Sequence, residues 1–225
     1  MTIVLITGAD KGIGFETARR LTDLVHPVWI GARDAQRGQD AADVIGVKWV
    51  QIDVTADHSI AAAMATIEAA GGPDVLVDNA VIPPHEPLGD DWFDVFNTHT
   101  RGVVRTQAAL PLPRNSDNPG VVNPASSLGS FGVVTKPDKT QSQFASGIYG
   151  TSKVAVAMLS LRYSMAERTI KFNAVEPGYT NTDSKAAMPG GHPVTDSARG
   201  AVERVLLPAE GPTGTLVEDG EILPW

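Results

Sequence analysis

The opening stretch of the chain constrains its fold more than any other. Residues 3–6 are an uninterrupted apolar run, Thr7-Gly8 closes it, and a loop carrying Gly8, Gly12 and Gly14 leads into a helix-like segment over 15–24. A short, fully apolar strand is the kind buried on both faces of a sheet. Glycines placed between such a strand and a helix let the backbone turn tightly and approach a ligand closely. The unpaired N–H groups and positive dipole end of the helix then form an anion site suited to a pyrophosphate. The spacing here, Thr7-Gly8-x-x-x-Gly12-x-Gly14, opens a wider first loop than G-x-G-x-x-G. Taken alone, it fits a dinucleotide loop and a ligand-free βα connection equally, and the rest of the chain has to decide between them.

At 225 residues the chain reads as one domain, 1–225, large enough to bury a core without disulfides or metal. There is no cysteine, which removes thiol chemistry and cysteine metal clusters and fits a cytoplasmic setting. The N-terminal apolar run is too short for a signal peptide, and no segment approaches the roughly 20 apolar residues of a membrane span. Eighteen Lys and Arg against 26 Asp and Glu give a net charge of −8, a poor balance for nucleic-acid binding. The five histidines lack ligand spacing, so no metal site is expected.

Apolar runs at 28–31, 47–52, 75–77, 120–123, 170–175 and 215–217 follow the first as candidate strands. Helical segments over 36–44, 57–70, 92–112, 149–167 and 195–207 lie between them. The alternation predicts an α/β fold, a single doubly wound Rossmann-type domain with a mostly parallel seven-stranded sheet. Ligands in such a sheet bind beyond the C-terminal strand ends, near the switch in strand order. Arg33 follows the second run, where a carboxylate commonly holds ribose hydroxyls and an arginine accommodates a 2′-phosphate. With Lys11 in the glycine loop it favours NADP(H) over NAD, unless Asp34 pairs with Arg33 instead.

Tyr149 and Lys153 are one helical turn apart and share a face. A free phenol, with a pKa of about 10, is a sluggish acid–base at neutral pH. A nearby ammonium favours the phenolate and brings the tyrosine toward the range for proton transfer. Taken together, these motifs resemble the short-chain dehydrogenase/reductase family over essentially the whole chain. The correspondences are Thr7-Gly8-x-x-x-Gly12-Ile13-Gly14, Asp53-Val54 after the third strand, Asn79-Ala80 after the fourth, Tyr149/Lys153, and Pro177-Gly178-x-Thr180-x-Thr182. The resemblance implies that Gly8, Lys11, Gly12, Ile13, Gly14, Arg33, Asp53, Val54, Asn79, Ala80, Pro177, Gly178, Thr180 and Thr182 hold the cofactor. Tyr149 would be the general acid/base, and Lys153 would hold the nicotinamide ribose and lower the tyrosine pKa. A serine three residues ahead of a glycine orients the carbonyl, which makes Ser126 the candidate (ahead of Gly129) and Ser127 the runner-up; Pro124 just before could shift the register.

Two departures from the family pattern stand out. Val81 replaces the glycine of N-N-A-G and puts an isopropyl group where backbone usually passes the cofactor ribose. Ungapped alignment puts His99 where many members carry a catalytic asparagine, with Asn97 rotated to the opposite side of the helix. The expectation is that His99 takes the asparagine's place in a proton relay and adds a pH-sensitive term. The long gap from Ser126 to Tyr149 resembles the carbonyl-reductase-like branch, where the insertion either walls the substrate cleft or is a loose surface loop. Many relatives form homo-oligomers by helix pairing, which the insertion could obstruct, so the resemblance leaves a homo-oligomer open. It also implies a small carbonyl or alcohol substrate, and the short segment after Thr182 predicts an open cleft. A cofactor-binding sensor that has lost turnover is the competing expectation, motivated by Val81 and His99.

Overall fold

The computed structural model describes residues 1–82, 92–109, 116–145, 147–180 and 191–225. Eight strands form one sheet: β1 (Val4–Thr7), β2 (Val28–Ala32), β3 (Lys48–Gln51), β4 (Val75–Val77), β5 (Gly120–Pro124), β6 (Lys171–Val175), β7 (Leu216–Glu218) and β8 (Glu221–Ile222). Their order is β3-β2-β1-β4-β5-β6-β7-β8, parallel throughout except for the last pair. The eighth strand, absent from the expected seven, is a two-residue return. Asp219 and Gly220 turn the chain with positive φ values of 46° and 86°, too short a signal to read as a strand in the sequence.

Helices α1 (Gly12–Asp23), α2 (Ala35–Ile45) and α7 (Val194–Val205) cover one face. On the other lie α3 (Asp57–Glu68), α4 (Trp92–Ala109) and α6 (Gly147–Ala166). Alternation along β1 explains why its sequence is uniformly apolar. Val4 and Ile6 join the core under α1 and α7 with Leu21, Ile30 and Val202. Leu5 joins the opposite core with Ile60, Ile67, Leu76 and Phe172. Leu5 and Ile6 are fully buried, each contributing about 1.5–3 kcal/mol of transfer free energy.

The sequence order reverses between β1 and β4, which are neighbours in space, so the glycine loop after β1 and the segment after β4 open on the same crevice. From Ser127 to Gln143, the stretch after Ser126 is built rather than loose. A 3₁₀ turn (Ser127–Gly129), the short α5 (Phe131–Val134) and a second 3₁₀ turn (Thr140–Gln143) occupy it. It is tied to the chain's far end, where Gly132 N–H donates to the Trp225 carbonyl at 3.0 Å and the Ser130 hydroxyl to that of Pro224. No helix among the described residues is long and apolar enough to cross a membrane.

Candidate active site

The crevice encloses about 420 Å³ and runs from Lys11, Arg33 and Arg37, past Gly8, Gly12 and Ile13, to Val81, Ile82 and Thr98. Its floor is the glycine loop, shaped by contacts that no side chain would permit. Gly8 has a φ of +61°, and a Cβ there would lie 2.8 Å from the Ala80 Cα. At Gly14 a Cβ would lie 2.4 Å from the Asn79 Nδ2. That amide donates to the carbonyls of Thr7 at 3.0 Å and Gly8 at 2.9 Å, so Asn79 staples the loop to the end of β4. The Thr7 hydroxyl completes the staple by accepting the Ala80 N–H at 3.1 Å. α1 begins with neither a side-chain cap nor an acidic residue in its first turn, which leaves its orphan N–H groups to face an anion. This loop fits a dinucleotide pyrophosphate.

At one end of the crevice, Asp34 does not neutralise Arg33. Its carboxylate caps α2 by accepting the Arg37 N–H at 2.9 Å, and among the described residues Arg33 makes no ion pair. Arg37, which sequence reasoning missed, lies one helical turn beyond Arg33 and pairs with Asp10 at 3.4 Å. Both arginines and Lys11 are solvent-exposed at the crevice. Ile52, Asp53 and Val54 line the wall beside them. Two bonds from Thr55, at 2.7 and 2.9 Å, fall on Oδ1 of Asp53, so Oδ2 is not used by them.

Beyond the Ile82 end, α6 presents Tyr149 and Lys153 together, the tyrosine ring packed on His99, which bonds to Ile82. The Lys153 Nζ is 5.6 Å from the Tyr149 ring centroid and donates to the Pro124 carbonyl at 2.8 Å. Pro124 does not shift the strand: β5 stays in register through it, opposite Val175, and its carbonyl is what receives the lysine. Ser126 is buried close enough to Tyr149 to favour the phenolate, whereas the Ser127 hydroxyl accepts from Gln141 at 3.2 Å. The glycine after the serine sets this approach. A Cβ on Gly129 would lie 2.7 Å from the Lys153 carbonyl carbon, so only glycine lets the turn rest on α6.

Burial lowers the Lys153 pKa to about 8, a shift the Glu176 carboxylate opposes. Tyr149 moves the other way from the expectation that Lys153 lowers it. Burial is the largest effect, the Glu176 charge adds to it, and together they hold the phenol above its usual value despite Ser126.

His99 on α4 is 1% exposed and meets Tyr149 edge to face, with ring centroids 5.8 Å apart. Its Nδ1 lies 2.9 Å from the Ser152 hydroxyl, and that hydroxyl donates to the Tyr149 carbonyl at 2.7 Å. Nδ1 therefore donates to Ser152, while Nε2 lies 2.9 Å from the Ile82 carbonyl and 3.1 Å from the Ile82 N–H, and in the neutral ring it accepts the latter. Burial first, then the Lys153 charge, lowers the His99 pKa to about 3. The pH-sensitive part of its expected role therefore fails on electrostatics. His99→Asn is expected to leave the acid limb of a pH–rate profile unmoved above about pH 5, and a displaced limb would show that His99 titrates there. Asn97 faces away, as the helical rotation predicts, its Oδ1 accepting from Arg105 at 2.8 Å.

Pro177 and Gly178 (φ +77°) turn the chain after β6. The Thr180 hydroxyl bonds to Gly178 O at 2.9 Å and to the Ser197 hydroxyl at 2.6 Å. Thr182 lies outside the described residues. Besides Arg37, sequence reasoning missed Ser152 and Glu176. Both had a local signal, one sitting inside the Tyr-x-x-x-Lys span and the other directly before Pro177-Gly178.

A family model described as short chain dehydrogenase matches residues 2–190. A cis-4-hydroxycyclohexanecarboxylate dehydrogenase of Sinomonas cyclohexanicum is 33% identical over 92% of this chain and 85% of its own length. An NADP-dependent 3-hydroxy acid dehydrogenase of Shigella flexneri is 30% identical over 78% and 71%. Among solved structures, the NADPH-bound carbonyl reductase from chicken fatty liver superposes with a TM-score of 0.84. It is 24% identical and covers 100% of this chain and 94% of its own.

Proposed function

Because this chain belongs to the short-chain dehydrogenase family, and so is an oxidoreductase by descent, we propose that it is an NADP(H)-dependent carbonyl reductase or alcohol dehydrogenase with Tyr149 as its general acid/base. The observation that carries the proposal is a half-buried phenol with Ser126 and Lys153 beside it, packed on His99, whose ring bonds to Ile82 at the edge of a crevice opened by a glycine loop.

The nicotinamide supplies or accepts the hydride when bound. Gly8, Lys11, Gly12, Ile13 and Gly14 hold the pyrophosphate, and Asp53, Val54, Asn79 and Ala80 line the adenosine side. Pro177, Gly178 and Thr180 border the ring end, with Thr182 proposed on sequence alone. Lys153 holds the ribose and Ser126 bonds to the substrate oxygen. Tyr149 delivers its proton to that oxygen as the carbonyl becomes an alcohol. Burial and Glu176 favour the protonated phenol, which is the form that reduction requires. The substrate is a small molecule bearing a ketone or aldehyde in the reductive direction.

Arg33 and Arg37 support NADP(H), since a guanidinium meets a 2′-phosphate through a fork of charge-assisted bonds. Replacing both with alanine is expected to weaken NADPH binding by about 10- to 100-fold, from roughly 1.5–3 kcal/mol of lost bonding, with NADH binding little changed. Fluorescence titration with each cofactor checks this, and equal losses for both would remove the phosphate assignment. NADPH oxidation against a panel of ketones, aldehydes and quinones tests the activity. Tight NADPH binding with no turnover of any would favour the sensor.

A further inference from the structure

Glu176 follows β6, is 7% exposed, and touches neither the proposed substrate oxygen nor the proposed cofactor contacts above. Both its carboxylate oxygens are engaged by backbone. Oε2 accepts the N–H of Ser127, next to Ser126, and Oε1 accepts the N–H of Gly178 at 2.8 Å. Its own N–H donates to the Val217 carbonyl at 2.8 Å, which anchors it between β6 and β7. A carboxylate is acceptor-only and can serve both donors at once, whereas an amide would turn an NH₂ group against one of them.

On the reading of Tyr149 and Lys153 as the proton-handling pair, we propose that Glu176 is a positioning residue for this reaction. It clamps the Ser126 turn to the Pro177-Gly178 turn, and this places its carboxylate one residue beyond Val175, the register partner of the Pro124 whose carbonyl receives the Lys153 ammonium. α6 faces it with Tyr149 and Lys153, and β7 with Glu218, while the α4 residue His99 is neutral. Glu218 itself is raised by burial, then by Glu176 and Asp219, and lowered by Lys139 and His192. Glu176 thus acts in one direction on every acid around it, opposing proton loss.

The test needs a readout that a purely mechanical clamp would not move. In the full chain without cofactor, ¹³C-lysine NMR, with the Lys153 signal assigned by its loss in K153M, should give a midpoint near 8 for the wild type. Glu176→Gln should lower that midpoint, and a midpoint one pH unit lower cuts the charged fraction at high pH about tenfold. Glu176→Asp keeps the charge on a shorter arm and should restore it. In carbonyl reduction, the high-pH falling limb of E176Q should move to lower pH, because every neighbouring acid loses the same opposing charge. If the amide does not fold, Glu176→Ala, which leaves room for water at both N–H groups, should lower the Lys153 midpoint likewise. An unchanged Lys153 midpoint overturns the proposal, as does a fall in kcat at every pH with the limb in place. If the wild type reduces no carbonyl, the activity reading fails while the lysine comparison still decides the role of Glu176.

Discussion

Replacing Tyr149 with phenylalanine is expected to lower kcat for NADPH-dependent carbonyl reduction by about 10²–10⁴-fold, the usual contribution of a positioned proton donor. The dissociation constant for NADPH should stay as it is. The substitution removes one oxygen and keeps the ring that meets His99 edge to face at 5.8 Å, so the packing of α4 against α6 survives. On the proposed mechanism what is lost is the proton, because Ser126 would bond to the substrate oxygen without completing the transfer and Lys153 is directed at the Pro124 carbonyl. A fall in kcat with unchanged cofactor binding separates chemistry from assembly. Steady-state kinetics with binding by fluorescence check it. A variant that keeps its rate within a few-fold would show that the phenol is not the acid, whatever family the chain belongs to.

The difference between Tyr149 and its sequence expectation shows where reading from sequence stops. The i, i+4 pairing with Lys153 is local and can be read from spacing, and so can the alternation of strands and helices, because apolar runs and helical periods are local. The tyrosine's acidity is not local. It depends on burial and on Glu176, 27 positions away just past the end of β6. His99 is similar: its place on the helix follows from alignment, but burial and the Lys153 charge on another helix hold it neutral, against the opposing bond to Ile82. The gap from Ser126 to Tyr149 reads as either wall or loose loop because what orders its first part arrives from Pro224 and Trp225. The glycines were easier, since Gly8, Gly14 and Gly129 occur at motif spacings, though what each one clears space for is visible only in three dimensions.

Asp78→Asn is expected to change how stability depends on pH by several kcal/mol. Asp78 follows β4 and is 6% exposed, and burial raises its pKa from 3.8 to about 7 against the opposing bonds from Thr106 at 2.6 Å and Gln107 at 2.9 Å. The protonated form suits its neighbours. Its O–H can donate to the Thr106 hydroxyl, whose own proton then goes to the Gly102 carbonyl at 3.0 Å within α4. A carboxyl that holds its proton more tightly when folded than unfolded makes the native state bind more protons between the two values. Stability therefore falls as pH rises from about 4 to about 7 and is level above that, a loss on the order of 4 kcal/mol from this one group. An amide in its place carries no charge at any pH, and its NH₂ can be accepted by Gln107 Oε1, which is buried without a hydrogen-bond partner. Urea unfolding from pH 5 to 8 should show the wild type weakening across this window relative to the variant. The variant should be the more stable by a few kcal/mol at pH 8, with the gap closing toward pH 4. A variant weaker by the same amount at every pH would mean that hydrogen-bond geometry, not the buried charge, dominates at Asp78. The consequence reaches the crevice, since the next residue, Asn79, is the one that staples the glycine loop. If charging Asp78 loosens the end of β4, NADPH binding by the wild type should weaken above pH 7 while that of the variant does not.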